Sequence, residues 1–220
     1  MKRHLITEQT IIEAARRGEK LIVHPPDAIV TAAARDRAKQ LGVNFEARTV
    51  PQQPGTPSVG GQNPGAGAGR QIAIGSDHGG FQLKEALKPF LEKMGHKVVD
   101  LGTYSEETCD YPDFAYAVAR MVALGQASRG IMIDAVGIAS AIVANKVQGI
   151  RAACCSDEFA ARSSREHNDA NILTLGGKTL GVELAKSITA AWLETNFGGG
   201  RHQKRVEKIS EIEKRHQSIR

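Results

Sequence analysis

Gln71-Ile72-Ala73-Ile74-Gly75-Ser76-Asp77-His78-Gly79-Gly80-Phe81 is the stretch whose reading decides the fold. Gln71–Gly75 is a short apolar run and predicts a buried strand. The polar, glycine-bearing turn after it leads into a helix over Phe81–Met94, where Pro89 predicts a kink. A second strand follows over Lys97–Leu101. The same alternation continues to the C-terminus. Helices are predicted over Tyr111–Leu124, Ile138–Asn145, Glu158–Arg165, Val182–Asn196 and 203–219. Strands are predicted over Gly130–Ile133, Ile150–Cys155 and Ile172–Leu175. Short apolar strands joined by helical crossovers predict an α/β domain: a five-stranded parallel sheet, doubly wound, with helices on both faces.

Working outward, residues 51–70 carry almost no apolar side chains and are rich in Pro and Gly. Such a segment cannot offset its own ordering entropy, so it predicts a flexible linker. It separates a main domain, residues 71–220, from a small N-terminal α/β module, residues 1–50. In the module Thr7 caps a helix carrying Ile11, Ile12, Ala14 and Ala15, with Gly18 as its stop. Lys20–Val23 is a short strand ended by Pro25-Pro26. Thr31 starts a second helix stopped by Gly42, and Val43–Phe45 is a second strand. Fewer than about fifty residues make a marginal core, so the module is expected to pack against a partner, a copy of itself or the main domain.

The 220 residues carry a formal charge of +5, with 41% hydrophobic and 5% aromatic residues. So few aromatics, and no basic run interleaved with them, argue against nucleic acid. A phosphate-handling enzyme explains the same surplus of positive charge. No apolar run is long enough to predict a membrane span, and Met1–Glu8 shows no long apolar stretch of the kind a secretory leader carries. Its three cysteines include the adjacent Cys154 and Cys155, which on a strand point to opposite faces. That arrangement suits neither a disulfide nor a zinc site, and it predicts a reducing, cytoplasmic setting without metal.

Three polar segments stand out. Ser76-Asp77-His78-Gly79-Gly80 follows the first strand, Asp134 ends the third, and Ser164-Arg165-Glu166-His167-Asn168-Asp169-Ala170-Asn171 precedes the fifth. All three are read as strand ends meeting at one crevice, where open α/β sheets bind ligands. The first segment lacks the Gly-x-Gly-x-x-Gly pattern of dinucleotide binding. It either receives an anion at the helix N-terminus or uses Asp77 merely as a cap. Asp134 is either a helix cap or a general base whose carboxyl is raised by loss of water. His167, in the loop after Arg165, can carry protons near neutral pH. Arg201 and Arg205 are four apart, so on a helix they share a face that can clamp a phosphate or simply meet solvent.

From about 71 to 215 the chain resembles the ribose-5-phosphate isomerase B family, which includes galactose-6-phosphate and allose-6-phosphate isomerases. The resemblance rests on Ser76–Phe81, Asp110-Tyr111-Pro112, Ala144-Asn145-Lys146-Val147, Gly149–Ala152, Ser164–Asn171 and Gly199–His202. It implies a Rossmann-like α/β/α fold, no cofactor, and dimers or tetramers with sites between subunits. It implies proton transfer on a sugar phosphate, with His167 opening the ring and Asp77 meeting the ring oxygen or hydroxyls. Tyr111, Gly137 and Asn168 are implied as substrate contacts, and His78, Arg201 and Arg205 as the phosphate grip, with His202 beside them.

One stretch departs from that family. A cysteine base and a Gly-Thr-Gly-x-Gly turn are usual after the third strand, whereas this chain reads Asp134-Ala135-Val136-Gly137-Ile138-Ala139-Ser140. The two alanines, at positions where glycine is usual, predict a reshaped loop. Two functions then remain open: an isomerase using Asp134 as base on a pentose phosphate, or a sugar-phosphate binder or partner protein that has lost turnover. The N-terminal module is similar to segments on enzymes of bacterial microcompartments. That similarity implies recruitment to a shell or cargo partner, with simple oligomerisation as the alternative.

Overall fold

The computed structural model describes residues 5–24, 28–47 and 70–217. The proline pair at 25–26 and the expected linker, apart from Arg70, lie outside the described residues. The chain divides into two compact units, Met1–Gly69 and Arg70–Arg220.

In the first unit, β1 (Leu5–Ile6) leads through α1 (Glu8–Arg16) to β2 (Leu21–His24). Then β3 (Ile29–Val30) leads through α2 (Ala32–Leu41) to β4 (Asn44–Ala47). Both helices start where a threonine hydroxyl replaces the missing intrahelical acceptor. Thr7 Oγ1 accepts from Thr10 N at 3.4 Å and Thr31 Oγ1 from Ala34 N at 3.1 Å. Gly42 closes α2 in the left-handed conformation, φ 66°. β1 pairs with β3 and β2 with β4, both parallel. Ile6, Ile11, Ala34, Ala38 and Val43 form the unit's own core.

The second unit is the expected α/β/α sandwich. Its elements are β5 (Gln71–Ser76), α3 (Phe81–Lys93), β6 (Lys97–Asp100), α4 (Tyr111–Ala123) and β7 (Arg129–Asp134). They continue with α5 (Ile138–Ala144), β8 (Ala152–Cys154), α6 (Glu158–Asn168), β9 (Ile172–Gly176), α7 (Val182–Glu194) and α8 (Arg201–Gln217). The strands lie in the order β6-β5-β7-β9-β8, all parallel. From β5 the chain goes to β6 on one side and then crosses to β7 on the other, so the crevice beyond the C-terminal ends of β5 and β7 is the topological switch point. On one face Ile72, Ile74, Ile131, Ile133, Leu173 and Leu175 pack with Leu87 of α3, Ala161 of α6, and Ile188 and Trp192 of α7. On the other face α4 comes very close. A Cβ at Gly75 or Gly130 would stand 2.9 or 2.7 Å from Val118, so glycine is what admits this helix. α3 runs through Pro89 as one helix. Cys154 ends β8 and is exposed, while Cys155, the residue after the strand, is buried. No helix among the described residues is long and apolar enough to cross a membrane.

One buried ion pair was not apparent from the sequence. Lys84 of α3 is fully buried, and its Nζ reaches Asp100 Oδ1 and Oδ2 at 2.7 and 2.6 Å. Asp100 also accepts from Gly102 N at 3.0 Å and so fixes the chain as it leaves β6 for the switch-point crevice.

Candidate active site

Asp77, His78, Tyr111, Asp134 and Gly137 come together at the switch-point end of the sheet. Ser76 pairs with Ile133 across β5 and β7, and Asp77 N donates to Ile133 O at 3.1 Å. Asp77 and Asp134 therefore end adjacent strands side by side. Gly75 and Met132 face α4, so two residues further on both carboxylates lie on that side of the sheet. Asp77 is 6% exposed, and its Oδ1 accepts from Gly80 N at 3.1 Å. Burial raises its carboxyl, and the charge of Asp134 adds to the rise. The Gly80 and Gly79 amides and His78 oppose it, but the net shift is upward. His78 Nδ1 accepts from Cys109 N at 3.3 Å, which leaves Nε2 as the donor facing outward. Tyr111 is the first residue of α4, behind its N-cap Asp110.

Asp134 is not the high-pKa base that its position suggests. Its Oδ1 accepts from Val136 N at 2.8 Å and from Gly137 N, and its Oδ2 from Ser140 N at 2.8 Å and Ser140 Oγ at 2.5 Å. Burial works to raise the carboxyl. The Ser140 hydroxyl and the three amides outweigh burial and hold it below the ordinary value. The geometry is that of a carboxylate bonded across its own loop to the first turn of α5, whose N-cap residue is Gly137 and not Asp134. The loop is also less disturbed than its alanines predict. Its left-handed residue is Gly137, φ 88°. There a Cβ would meet Leu175 C at 2.9 Å and Cys154 Sγ at 3.0 Å. Among the described non-glycine residues only Asp169 has positive φ, so Ala135 and Ala139 take ordinary backbone conformations.

The other expected site residues gather elsewhere. His167 and Asn168 are not in a loop after Arg165. They form the last turn of α6, which ends before β9 begins. Asn171 O accepts from Gly130 N at 2.9 Å, so this turn lies beside the N-terminal ends of β7 and β9. Asp134 is level with Gly176 at the far end of β9. Four strand steps at about 3.3 Å each put at least about 13 Å between the two groups within one chain. Reading Ser164–Asn171 as a third strand end at the same crevice is therefore wrong.

This second group is well braced. His167 Nδ1 lies 3.1 Å from Ser163 Oγ, and its ring stacks on His202 at 4.4 Å and 16°. His202 is buried, and its Nε2 accepts from Arg201 Nε at 3.4 Å. Burial first, then the charges of His167, Arg201 and Arg205, lower its pKa. Arg201 and Arg205 are exposed along the first turns of α8, and Gly198 N donates to Glu166 O at 2.9 Å to join α8 to α6. Asp169 caps α6 at φ 47°, held by Arg165 Nη1 at 2.7 Å and Arg151 Nη2 at 3.1 Å. Asn171 Oδ1 accepts from Arg151 N at 2.8 Å. The polar density around His167 is thus partly scaffolding: Arg151, Arg165, Asp169 and Asn171 position the turn that carries His167 and Asn168.

The description of the Ribose/Galactose Isomerase family matches residues 72–209, which hold both groups. The chain belongs to that family. It is 48% identical over 146 residues to ribose-5-phosphate isomerase B of Escherichia coli K12, spanning 66% of this chain and 98% of that protein. It is 42% identical over 149 residues to D-erythrulose-4-phosphate isomerase of Pectobacterium atrosepticum, with the same coverage of 66% and 98%. Among solved structures, ribose-5-phosphate isomerase B of Clostridium thermocellum superposes with a TM-score of 0.66 at 53% identity, covering 66% of this chain and 99% of that one. The Ribose/Galactose Isomerase match begins after the first compact unit, Met1–Gly69, which lies outside it.

Proposed function

We propose that the chain interconverts ribose 5-phosphate and ribulose 5-phosphate without a cofactor, at sites shared by two copies of the chain. The observation that carries this reading is the separation of the two groups. Asp77, His78 and Tyr111 lie at one end of the sheet. His167, Asn168, Arg201 and Arg205 lie at the other. The first set has no arginine to hold a phosphate, and the second lacks the strand-end carboxylates of Asp77 and Asp134, so each set supplies only part of what a sugar phosphate needs. A two-fold pairing that brings the first set of one copy against the second set of the other makes two complete sites. The surface beside the first set fits that arrangement. Val136, Ile138, Ile142 and Tyr116 are 48, 57, 57 and 45% exposed, an apolar patch of the kind subunit contacts cover.

In such a site Arg201 and Arg205, on one helix face, pair with the phosphate. His167 transfers the proton that opens the sugar ring. His78 Nε2 and Tyr111 offer donors to the sugar oxygens, and Asn168 adds a further polar contact. Isomerisation then moves one hydrogen between C2 and C1 through an enediolate.

The first unit is read as an interaction module for a microcompartment shell or cargo partner of a cytoplasmic enzyme. Its self-contained core, outside the family match, supports a role separate from catalysis. Two measurements address these two readings. The purified full chain is expected to form ketose from ribose 5-phosphate, and no turnover above buffer would contradict the isomerase. A chain lacking residues 1–50 is expected to keep that turnover while losing co-localisation with shell proteins; unchanged localisation would contradict recruitment.

A further inference from the structure

We propose that Asp77, and not Asp134, removes the C2 hydrogen of the substrate in this chain, and that Asp134 is a built-in anion filling the amide nest of its own loop. This assignment rests on the isomerase reading and names the base for it.

The two carboxylates sit side by side on the same side of the sheet, yet their hydrogen bonding differs sharply. A carboxylate offers about four in-plane acceptor positions. At Asp134 all four are taken by Val136 N, Gly137 N, Ser140 N and Ser140 Oγ. A hydrogen arriving at either oxygen must displace one of these donors. The same bonds turn the loop's amides inward, away from any substrate oxygen. At Asp77, Oδ1 accepts from Gly80 N at 3.1 Å and the Gly79 amide also faces the carboxylate, so two donors bear on Asp77 where four hold Asp134. Asp77 thus keeps unfilled acceptor positions at the switch-point crevice, with 6% of the residue open to solvent.

The charged and titratable groups facing Asp77 point the same way. They are His78 on its own turn, Asp134 from β7 and Cys109 from the segment before α4. Burial and the fixed charge of Asp134 raise the Asp77 carboxyl, while Asp134 is held low. Paired acids whose environments drive them apart are a recurring arrangement for proton transfer. Cys109 does not compete for the role. Burial raises its thiol, and the Asp77 charge adds to that, so it stays protonated near neutral pH. The His78 Nδ1 lone pair is occupied by Cys109 N.

The step balances without any other reagent. The Asp77 carboxylate takes the C2 hydrogen as a proton. The C2–H electron pair becomes the C1–C2 double bond, and the carbonyl π pair moves onto O1. The proton then returns from Asp77 to C1. The O2 proton passes to O1, so the aldose becomes the ketose and Asp77 is again ionised.

The test compares Asp77→Asn and Asp134→Asn in the full chain. Four quantities are measured: turnover of ribose 5-phosphate, loss of deuterium from C2-deuterated ribose 5-phosphate, its calorimetric Kd, and Tm. Asp77→Asn is expected to slow turnover and C2 exchange about 10³-fold, with Kd within about threefold and Tm unchanged or higher. Asp134→Asn is expected to lower Tm but to slow exchange less than about tenfold below its melting range. Because a variant can lose activity for structural reasons, Asp77→Ala is also assayed with added formate. Recovery of exchange identifies a missing base, which a purely structural role does not predict. Exchange retained in Asp77→Asn, or abolished in folded Asp134→Asn alone, overturns the assignment while leaving the isomerase reading intact. Wild-type protein that neither turns over nor exchanges overturns both.

Discussion

Replacing His167 with asparagine is expected to lower kcat on ribose 5-phosphate by about 10²–10⁴-fold, the usual contribution of a positioned acid–base group. The expectation follows from how the ring is held. Ser163 Oγ lies 3.1 Å from Nδ1 and the His202 ring stacks behind it, so the imidazole has one orientation and presents Nε2 outward. Asparagine fills part of the space and keeps a hydrogen-bond donor, but it does not titrate. The side chain is 41% exposed, so Tm should change little. Arg201 and Arg205 are untouched, so the Kd for ribose 5-phosphate should stay within a few-fold. Steady-state kinetics beside calorimetry checks this; a His167→Asn variant with wild-type kcat contradicts the role given to the ring.

Truncating Asp134 to alanine should act on stability instead, lowering it by about 3–5 kcal/mol at neutral pH. Hydrogen bonds to a charged group contribute about 1.5–3 kcal/mol each and are not additive, and the lost carboxylate leaves three amides and a hydroxyl without their acceptor. The pH dependence carries a definite sign. Asp134 is held below its ordinary value in the folded state, so its contribution is complete above the unfolded carboxyl value, about 3.9. It is lost as pH falls through the lower folded value. Denaturant melts at pH 7 and below pH 4 should therefore show the wild type approaching the variant in acid. A constant gap at all pH values would mean that the carboxylate charge is not what secures the loop.

These effects show which parts of the site were legible in the sequence. The strands of the large unit were, because each is a short apolar run bounded by turn residues. Gln71–Gly75 and Ile172–Leu175 differ from β5 and β9 by one residue at the C-terminal end. Thr7 and Thr31 announced their helices by the hydroxyl cap alone. β1 and β3 were missed because two residues carry no periodic signal. The error over Ser164–Asn171 has a physical cause. The segment was read as a polar loop, but α6 continues to Asn168 because Asp169, not glycine, takes the left-handed cap. What permits that is a pair of arginines, one of them 18 residues away. Such long-range support has no local signature. The same holds for Lys84 with Asp100, and for the four donors around Asp134, where the sequence showed a lost cysteine but not the filled nest.

A mixture of two inactive variants tests the shared site most directly. Asp77→Asn disables the first group and His167→Asn the second. When equal amounts are unfolded and refolded together, half of the dimers pair one of each. In such a dimer one of the two sites combines the intact first group of one chain with the intact second group of the other, so about a quarter of wild-type activity should return. A mixture that stays as inactive as its separate components, with mixed dimers shown to form, contradicts a site built from two copies of the chain.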